Sequence, residues 1–418
     1  MQSWPAPARS RLPGRGFPLR VFDTATGSVR PLAAGPTARM YVCGITPYDA
    51  THLGHAFTYL TYDLLARVLL DAGHDVRYVQ NVTDVDDPLF ERARRDSQDW
   101  REIARTQIDL FRADMTALRI LPPTVYVGAV ESIPLVIELI EKLRGRDATY
   151  EVDRDIYFPI RAAPHFGEIS HLSHDMMVDR AAGNGGDPAR PGKRNPLDPL
   201  LWRAERPGEP AWPSPFGPGR PGWHIECAAI ALAHLGERID IQGGGTDLMF
   251  PHHECGVAHA EVASGVRPFA RTHVHTAMVH LDGHKMSKSR GNLEFVSRLL
   301  VRGVPPAVIR IALLGHRHTA EWEWAPSLLG LARERLARWQ AAIGHERGPD
   351  TRPLLDDVRQ HLADDLDAPA AVAAVDRWAS AALSTGGDDP QAPALARAII
   401  DSLLGVDVEP IMAGGSSV

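Results

Sequence analysis

The segment from Arg39 to Val82 limits the fold more than any other part of the chain. Arg39-Met40-Tyr41-Val42-Cys43 reads as a strand, ended by Gly44. Leu53, Phe57, Leu60, Leu64, Leu65, Val68 and Leu69 then recur at helical intervals until Gly73. A second β-rich run, Val76 to Val82, follows. Strand, helix and strand in so short a span make a βαβ unit, which commits the chain to an α/β fold with a Rossmann-type parallel sheet. Ligands of such sheets bind at the carboxyl ends of the strands. That rule puts Cys43, Gly44 and Thr46 at the mouth of a site, with Asn81 and Thr83 beside them.

Helices are expected next, over 87–119 and 129–145. From 147 to 222 the pattern gives way to short strands and a Pro/Gly-dense passage at 181–222, too long for a plain connection and suited to an insertion. A helix from Trp223 to Leu235 leads to a strand, Ile239-Asp240-Ile241-Gln242, and then to Gly243-Gly244-Gly245. A segment at 268–280 runs into a lysine loop at 285–289, and beyond it only helices are expected, over 296–315, 326–343, 352–383 and 391–404. The expected organisation is a flexible arm at 1–19, a Rossmann catalytic domain from 20–120 and 223–292, an inserted subdomain at 121–222, a C-terminal helical bundle at 293–405 and a tail at 406–418.

Hydrophobic residues at 44% and charged residues at 23% describe an ordinary globular chain. A net charge of −7 gives no support for a protein held by nucleic-acid phosphates. No run approaches the ~18–20 apolar residues of a membrane span. Arg9, Arg11, Arg15 and Arg20 precede no apolar signal core. The three cysteines, Cys43, Cys227 and Cys255, are odd in number and far apart, which argues for reduced thiols, metal ligation and a cytoplasmic location. A monomer without membrane contact is the expectation.

Two short motifs carry chemistry. In His52-Leu53-Gly54-His55, two imidazoles three residues apart share one face of a helix's first turn, where unpaired N–H groups and the dipole favour an anion. They could donate to phosphate oxygens as charge builds, and Gly54 leaves room for a nucleotide. In Lys285-Met286-Ser287-Lys288-Ser289, flanked by Gly283 and Gly291, two ammonium groups on a hinged loop suit a clamp on a triphosphate. Alone, the first pattern reads better as a pair of helix-capping histidines and the second as a solvated basic loop.

Together, HLGH early and KMSKS late resemble the paired signatures of class I aminoacyl-tRNA synthetases. Gly219-Arg220-Pro221-Gly222-Trp223-His224-Ile225-Glu226-Cys227, Gly243-Gly244-Gly245-Thr246-Asp247-Leu248 and Phe250-Pro251-His252-His253-Glu254 resemble the cysteinyl branch, and the likeness runs from about Leu19 to Asn292. The resemblance implies activation of cysteine by ATP as an enzyme-bound adenylate, and Mg2+ is expected with the ATP on general grounds. It implies catalytic roles for His52, His55, Lys285 and Lys288. Adenylate or ATP contacts are implied at Gly44, Ile45, Thr46, Thr58, Asn81, Val82, Thr83, Trp223, Gly245, Thr246, Asp247, Val279 and Ser287.

The spacing of Cys43, Cys227 and His252 matches no local zinc-binding pattern, but the resemblance implies that they hold one Zn2+. Two thiolates and an imidazole would leave a position open for a substrate thiolate, which serine's harder hydroxyl fills poorly. The cysteinyl pattern has a glutamate ligand four residues after the histidine; here that residue is Gly256. Three protein ligands are therefore expected, the alternative being Glu254 as a substitute fourth, and Cys255 is expected to be a packing thiol.

The acceptor is expected to be a small amine and not tRNA, the alternatives being a cysteinyl-tRNA synthetase that lacks an anticodon module and, more remotely, a non-catalytic synthetase-like binding module. The residues after Ser289 leave room for a helical bundle but not for a further anticodon-reading module. From Arg290 onward there are 13 Arg and no Lys against 17 acidic residues, with Asp364, Asp365 and Asp367 clustered, which is poor company for phosphates. A shortened branch of the family, cysteine ligases that acylate the amine of glucosaminyl-inositol, is similar in these respects and in Gly185-Gly186-Asp187-Pro188 and Met1-Gln2-Ser3-Trp4.

Overall fold

The computed structural model describes residues 1–49, 51–286 and 291–409. A hairpin of β1 (Arg20–Asp23) and β2 (Ser28–Pro31) precedes the βαβ unit, which is β3 (Thr37–Val42), α1 (Leu53–Asp71) and β4 (Asp75–Val82). His52 caps α1, its side chain accepting from the His55 N–H, and Gly73 turns the chain back at φ +94°. Most of α1 is buried around its whole circumference, as a helix covered on both sides must be. Two helices, α2 (Asp87–Asp96) and α3 (Trp100–Ala117), break the expected 87–119 helix at Ser97, which is left-handed at φ 50°.

β5 (Val125–Gly128) then pairs in parallel with β4. The inserted subdomain therefore cannot begin at 121. The run Val125-Tyr126-Val127 is too short to stand out as a strand, yet it completes the main sheet. After α4 (Ile133–Arg144) come β6 (Tyr150–Val152), β7 (Asp155–Tyr157), α5 (His174–Gly183), β8 (Leu200–Ala204) and β9 (Gly219–Pro221). The strands β6-β7-β8-β9 form an antiparallel sheet of their own, the body of the insertion.

The chain returns to the main sheet through α6 (Trp223–Leu235), β10 (Ile239–Gly245), α7 (Glu254–Ser264) and β11 (Ala270–Thr276). The order is β11-β10-β3-β4-β5, every neighbour parallel. Succession runs to one side from β3 and resumes on its other side at β10, so the sheet's topological switch point lies between these two strands. Cys43 N–H donates to the Gly243 carbonyl across that seam at 3.0 Å.

Three short strands, β12 (Val279–Leu281), β13 (His284–Lys285) and β14 (Trp322–Glu323), form a small sheet that includes Lys285. The C-terminal helices are α8 (Val296–Val301), α9 (Pro306–Leu314), α10 (Ser327–Ile343), α11 (Arg352–Ala363), α12 (Ala368–Ser384) and α13 (Ala392–Ile399). The expected 296–315 helix is broken at Gly303 (φ +76°), and Pro306 starts a new one. The expected 352–383 helix breaks at Asp365 and Leu366, both left-handed, where Asp365 accepts from the Phe22 N–H at 2.8 Å and ties the bundle to β1.

The first nineteen residues, expected to be a loose arm, are pinned to the core. Trp4 is 3% exposed, donates from Nε1 to the Ile120 carbonyl at 2.8 Å and meets Phe111 and Tyr126 edge-on. A tryptophan buried with its N–H satisfied holds a segment that has no regular structure of its own.

Candidate active site and metal centre

Cys43 follows β3, Cys227 stands in the second turn of α6, and His252 lies in the bend that leads from β10 into α7. All three are buried, and their ligand atoms lie within 4.8 Å of one another. The Cys43 and Cys227 sulfurs are 3.8 Å apart and His252 Nε2 is 3.2 Å from Cys227 Sγ. A tetrahedral zinc, with bonds of about 2.0–2.3 Å, spaces its ligand atoms roughly 3.5–3.8 Å apart. The two sulfurs stand at that spacing and His252 Nε2 lies closer to Cys227 than that, and two thiols with one imidazole are a donor set that suits the ion. Burial pushes the Cys43 thiol up, whereas hydrogen bonding from Cys43 and the nearby His252 hold Cys227 well below the usual thiol range.

The ligands are themselves oriented. The Trp223 ring stacks on His252 with centroids 4.5 Å apart, and His224 Nδ1 lies 3.2 Å from His252 Nδ1. His253 Nε2 is 3.3 Å from Cys43 Sγ, His253 Nδ1 is 2.7 Å from His275 Nε2, and His275 Nδ1 is 2.7 Å from Thr24 Oγ1. Burial holds both imidazoles neutral, His275 down to about 3 and His253 well below its usual value. One assignment of protons satisfies the whole row: Thr24 donates to His275, His275 to His253, and His253 to the Cys43 sulfur. With a metal bound, the row would support Cys43 as a thiolate in the way carboxylate–histidine pairs support zinc-bound histidines.

Glu254 does not join the cluster. Its carboxylate accepts from the Gly167 and Ser170 N–H groups at 2.8 and 2.9 Å, anchoring the inserted subdomain. A Cβ at Gly256 would meet only the His224 carbonyl, at 3.6 Å. Cys255 is 2% exposed and outside the group, its thiol pushed up by burial.

A cavity of about 910 Å³ opens from the cluster across the switch point. His52 and His55 stack in its wall with ring centroids 3.7 Å apart. Gly44 must be glycine, since a Cβ there would sit 1.6 Å from the Asn81 carbonyl oxygen. Asn81 Oδ1 accepts from the Gly44 N–H at 2.8 Å and from Tyr41 at 3.2 Å, which fixes that approach. Of the other expected adenylate contacts, Ile45, Thr46, Thr58, Thr83, Trp223, Gly245, Asp247 and Val279 line the cavity. Asn81 and Val82 stand behind the wall, fully buried, and Thr246 is not among the lining residues. Lys285 reaches in and donates to Asp247 at 2.8 Å, and Met286 N–H to the Val279 carbonyl at 3.0 Å secures the start of the lysine loop. Ser287 and Lys288 lie outside the described residues.

The family described as tRNA synthetases class I (C) catalytic domain matches residues 30–334. The chain belongs to this family. Among relatives of this class I synthetase (C) chain, one from Parafrankia sp. (strain EAN1pec) is 66% identical over all of this chain and 95% of its own. One from Streptomyces griseus subsp. griseus is 58% identical over 97% of this chain and all of its own. Both are named L-cysteine:1D-myo-inositol 2-amino-2-deoxy-alpha-D-glucopyranoside ligase. Mycobacterium tuberculosis methionyl-tRNA synthetase, solved with methionyl-adenylate, superposes with a TM-score of 0.62 over 88% of this chain and 92% of its own, at 15% identity, which supports the class I synthetase fold. No described helix is long and apolar enough to cross a membrane.

Sequence reasoning missed His253, His275, Thr24 and His224. The HH doublet was visible, but the partners of its second histidine depend on strand register, since β10 and β11 set Gly244 opposite His275.

Proposed function

We propose that the chain uses ATP, with Mg2+, to activate L-cysteine as an enzyme-bound cysteinyl adenylate. It then transfers the cysteinyl group to the amine of 1D-myo-inositol 2-amino-2-deoxy-α-D-glucopyranoside, releasing AMP and diphosphate. The observation that carries the reading is a single cavity lined both by Cys43, Cys227 and His252 and by His52, His55 and Lys285.

Cys43, Cys227 and His252 would hold a zinc ion, which would supply a Lewis-acid position that favours a cysteine thiolate over a serine hydroxyl. Trp223 shapes the pocket over that position. Asn81 keeps Gly44 against the strand so that the nucleotide lies close to the backbone. His52 and His55, at the start of α1, donate to phosphate oxygens as diphosphate departs, with the helix dipole behind them. Lys285 leaves Asp247 for the same oxygens and frees that carboxylate for ribose hydroxyls, and Lys288 completes the clamp. The amide is made when the acceptor's amine displaces AMP. The amino-sugar acceptor follows from the names of the relatives, matched over almost their whole length, and from the acidic balance after Arg290. We read the enzyme as a cytoplasmic monomer that does not use tRNA.

The test is to supply ATP, cysteine and the amino-sugar and to look for the amide by mass, with equimolar AMP. Absence of the amide together with robust charging of tRNA by labelled cysteine would overturn the reading.

A further inference from the structure

The walls around the motifs suit an anion, but one stretch of the same cavity is acidic. Asp86 caps α2 just beyond the end of β4, and Glu226 lies in the first turn of α6. Both line the cavity. Glu226 is 1% exposed and its Oε2 has no hydrogen-bond partner among the described residues. A buried acceptor atom without a donor at a cavity wall is costly unless a ligand supplies one. The neighbouring cations do not supply it. Arg220 is held by Asp87 and Glu209, and Arg203 by the same two carboxylates. These arginines, from β8 and β9 of the insertion, fix the first turn of α2 and with it Asp86.

Asp86 also touches the adenylate side. Its Oδ2 accepts from Thr46 Oγ1 at 3.4 Å, and Thr46 follows the Cys43-Gly44 strand end in the same wall. Burial pushes the Asp86 carboxyl up to about 6, which suits a group that takes a proton from an ammonium near neutral pH.

We infer that Asp86 and Glu226 form the subsite for the acceptor's ammonium group, with Asp86 as the base that frees its lone pair. This rests on the proposed amide-forming reaction. The ammonium gives one proton to Asp86, and the nitrogen attacks the carbonyl carbon of the adenylate. The C–N bond forms, and the bond from that carbon to the phosphate oxygen breaks, its electron pair leaving on AMP. The second nitrogen proton is lost to solvent as the amide forms, and Asp86 returns its own proton to solvent.

The experiment separates the two half-reactions in Asp86→Asn and Asp86→Ser, both of which keep a helix-capping side chain. Cysteine-dependent ATP–diphosphate exchange reports activation, and amide formation reports transfer. The expected result is exchange within about threefold of the natural protein and kcat/KM for the amino-sugar down by about 100-fold or more. Amide formation at the natural rate would overturn the inference. Equal loss of exchange and transfer would also overturn it, because Asp86 would then serve cysteine's own ammonium. If the natural protein forms no amide at all, the fault lies with the proposed reaction and not with this subsite.

Discussion

The Sγ atoms of Cys43 and Cys227 lie 3.8 Å apart, although 184 residues separate them in the chain. One sulfur ends the first sheet strand of the βαβ unit and the other rides on the helix that re-enters the sheet after the insertion. Their meeting is a product of the switch-point topology, and zinc is the ion we propose for the pair and His252.

Replacing Cys227 by alanine should remove the ion. Zinc per chain, by elemental analysis, is expected to fall from about one to below about 0.1, because two ligands hold zinc poorly where three do not. Circular dichroism should show the fold retained. Zinc undiminished in Cys227→Ala would refute the site.

His253→Ala tests the row that ends on the Cys43 sulfur. Loss of a supporting hydrogen bond of this kind costs about 10–100-fold in metal affinity or activity. Competition with a chelator should show zinc binding weakened by that factor. Unchanged affinity would mean that the 3.3 Å contact to Cys43 is packing alone.

Gly44→Ala places a Cβ 1.6 Å from the Asn81 carbonyl oxygen, so the backbone must move. Displacement of the strand end by about 1 Å is expected to lower ATP–diphosphate exchange by about 100-fold, while Asn81→Ala should do so less, because it loosens the Gly44 approach without adding an atom that forces the backbone apart. Exchange at the natural rate in Gly44→Ala would exclude this wall from the adenylate site.

Asp63 links the HLGH helix to the bundle. Its buried carboxylate meets Arg67 from one turn along α1 and Arg310 from α9, and it accepts from the Leu121 N–H at 2.8 Å. Burial alone would push this carboxyl up, but the two guanidiniums outweigh it and hold it below the usual range. A lowered folded-state value means stability that is complete above the unfolded value of about 4 and lost as pH falls through the folded one. Asp63→Asn leaves two buried cations facing a neutral group, and chemical unfolding at pH 7 should show a loss of about 3–5 kcal/mol.

Much of the site was legible before any coordinates. HLGH and the lysine loop gained their chemistry as a pair and by family likeness, and Cys43, Cys227 and His252, far apart in the chain, were singled out by that likeness alone. The first βαβ unit was legible because α1 and its flanking strands have strong, contrasting periodicities. What was hidden depends on distant partners. β5 is four residues long and shows itself only by pairing with β4. Trp4 looked like part of a loose arm because nothing nearby in sequence announces the ring pocket of Phe111 and Tyr126. The helix break at Asp365 is set by the β1 backbone, and Glu254 looked like a spare ligand until the insertion's N–H groups claimed it.

The most direct measurement compares cysteine and serine in ATP–diphosphate exchange before zinc removal, after it, and after zinc is restored. The account predicts a preference for cysteine on the order of 10⁴-fold, collapse of cysteine exchange in the zinc-free protein, and recovery when zinc is returned. Full cysteine exchange without zinc, at undiminished preference over serine, would contradict it.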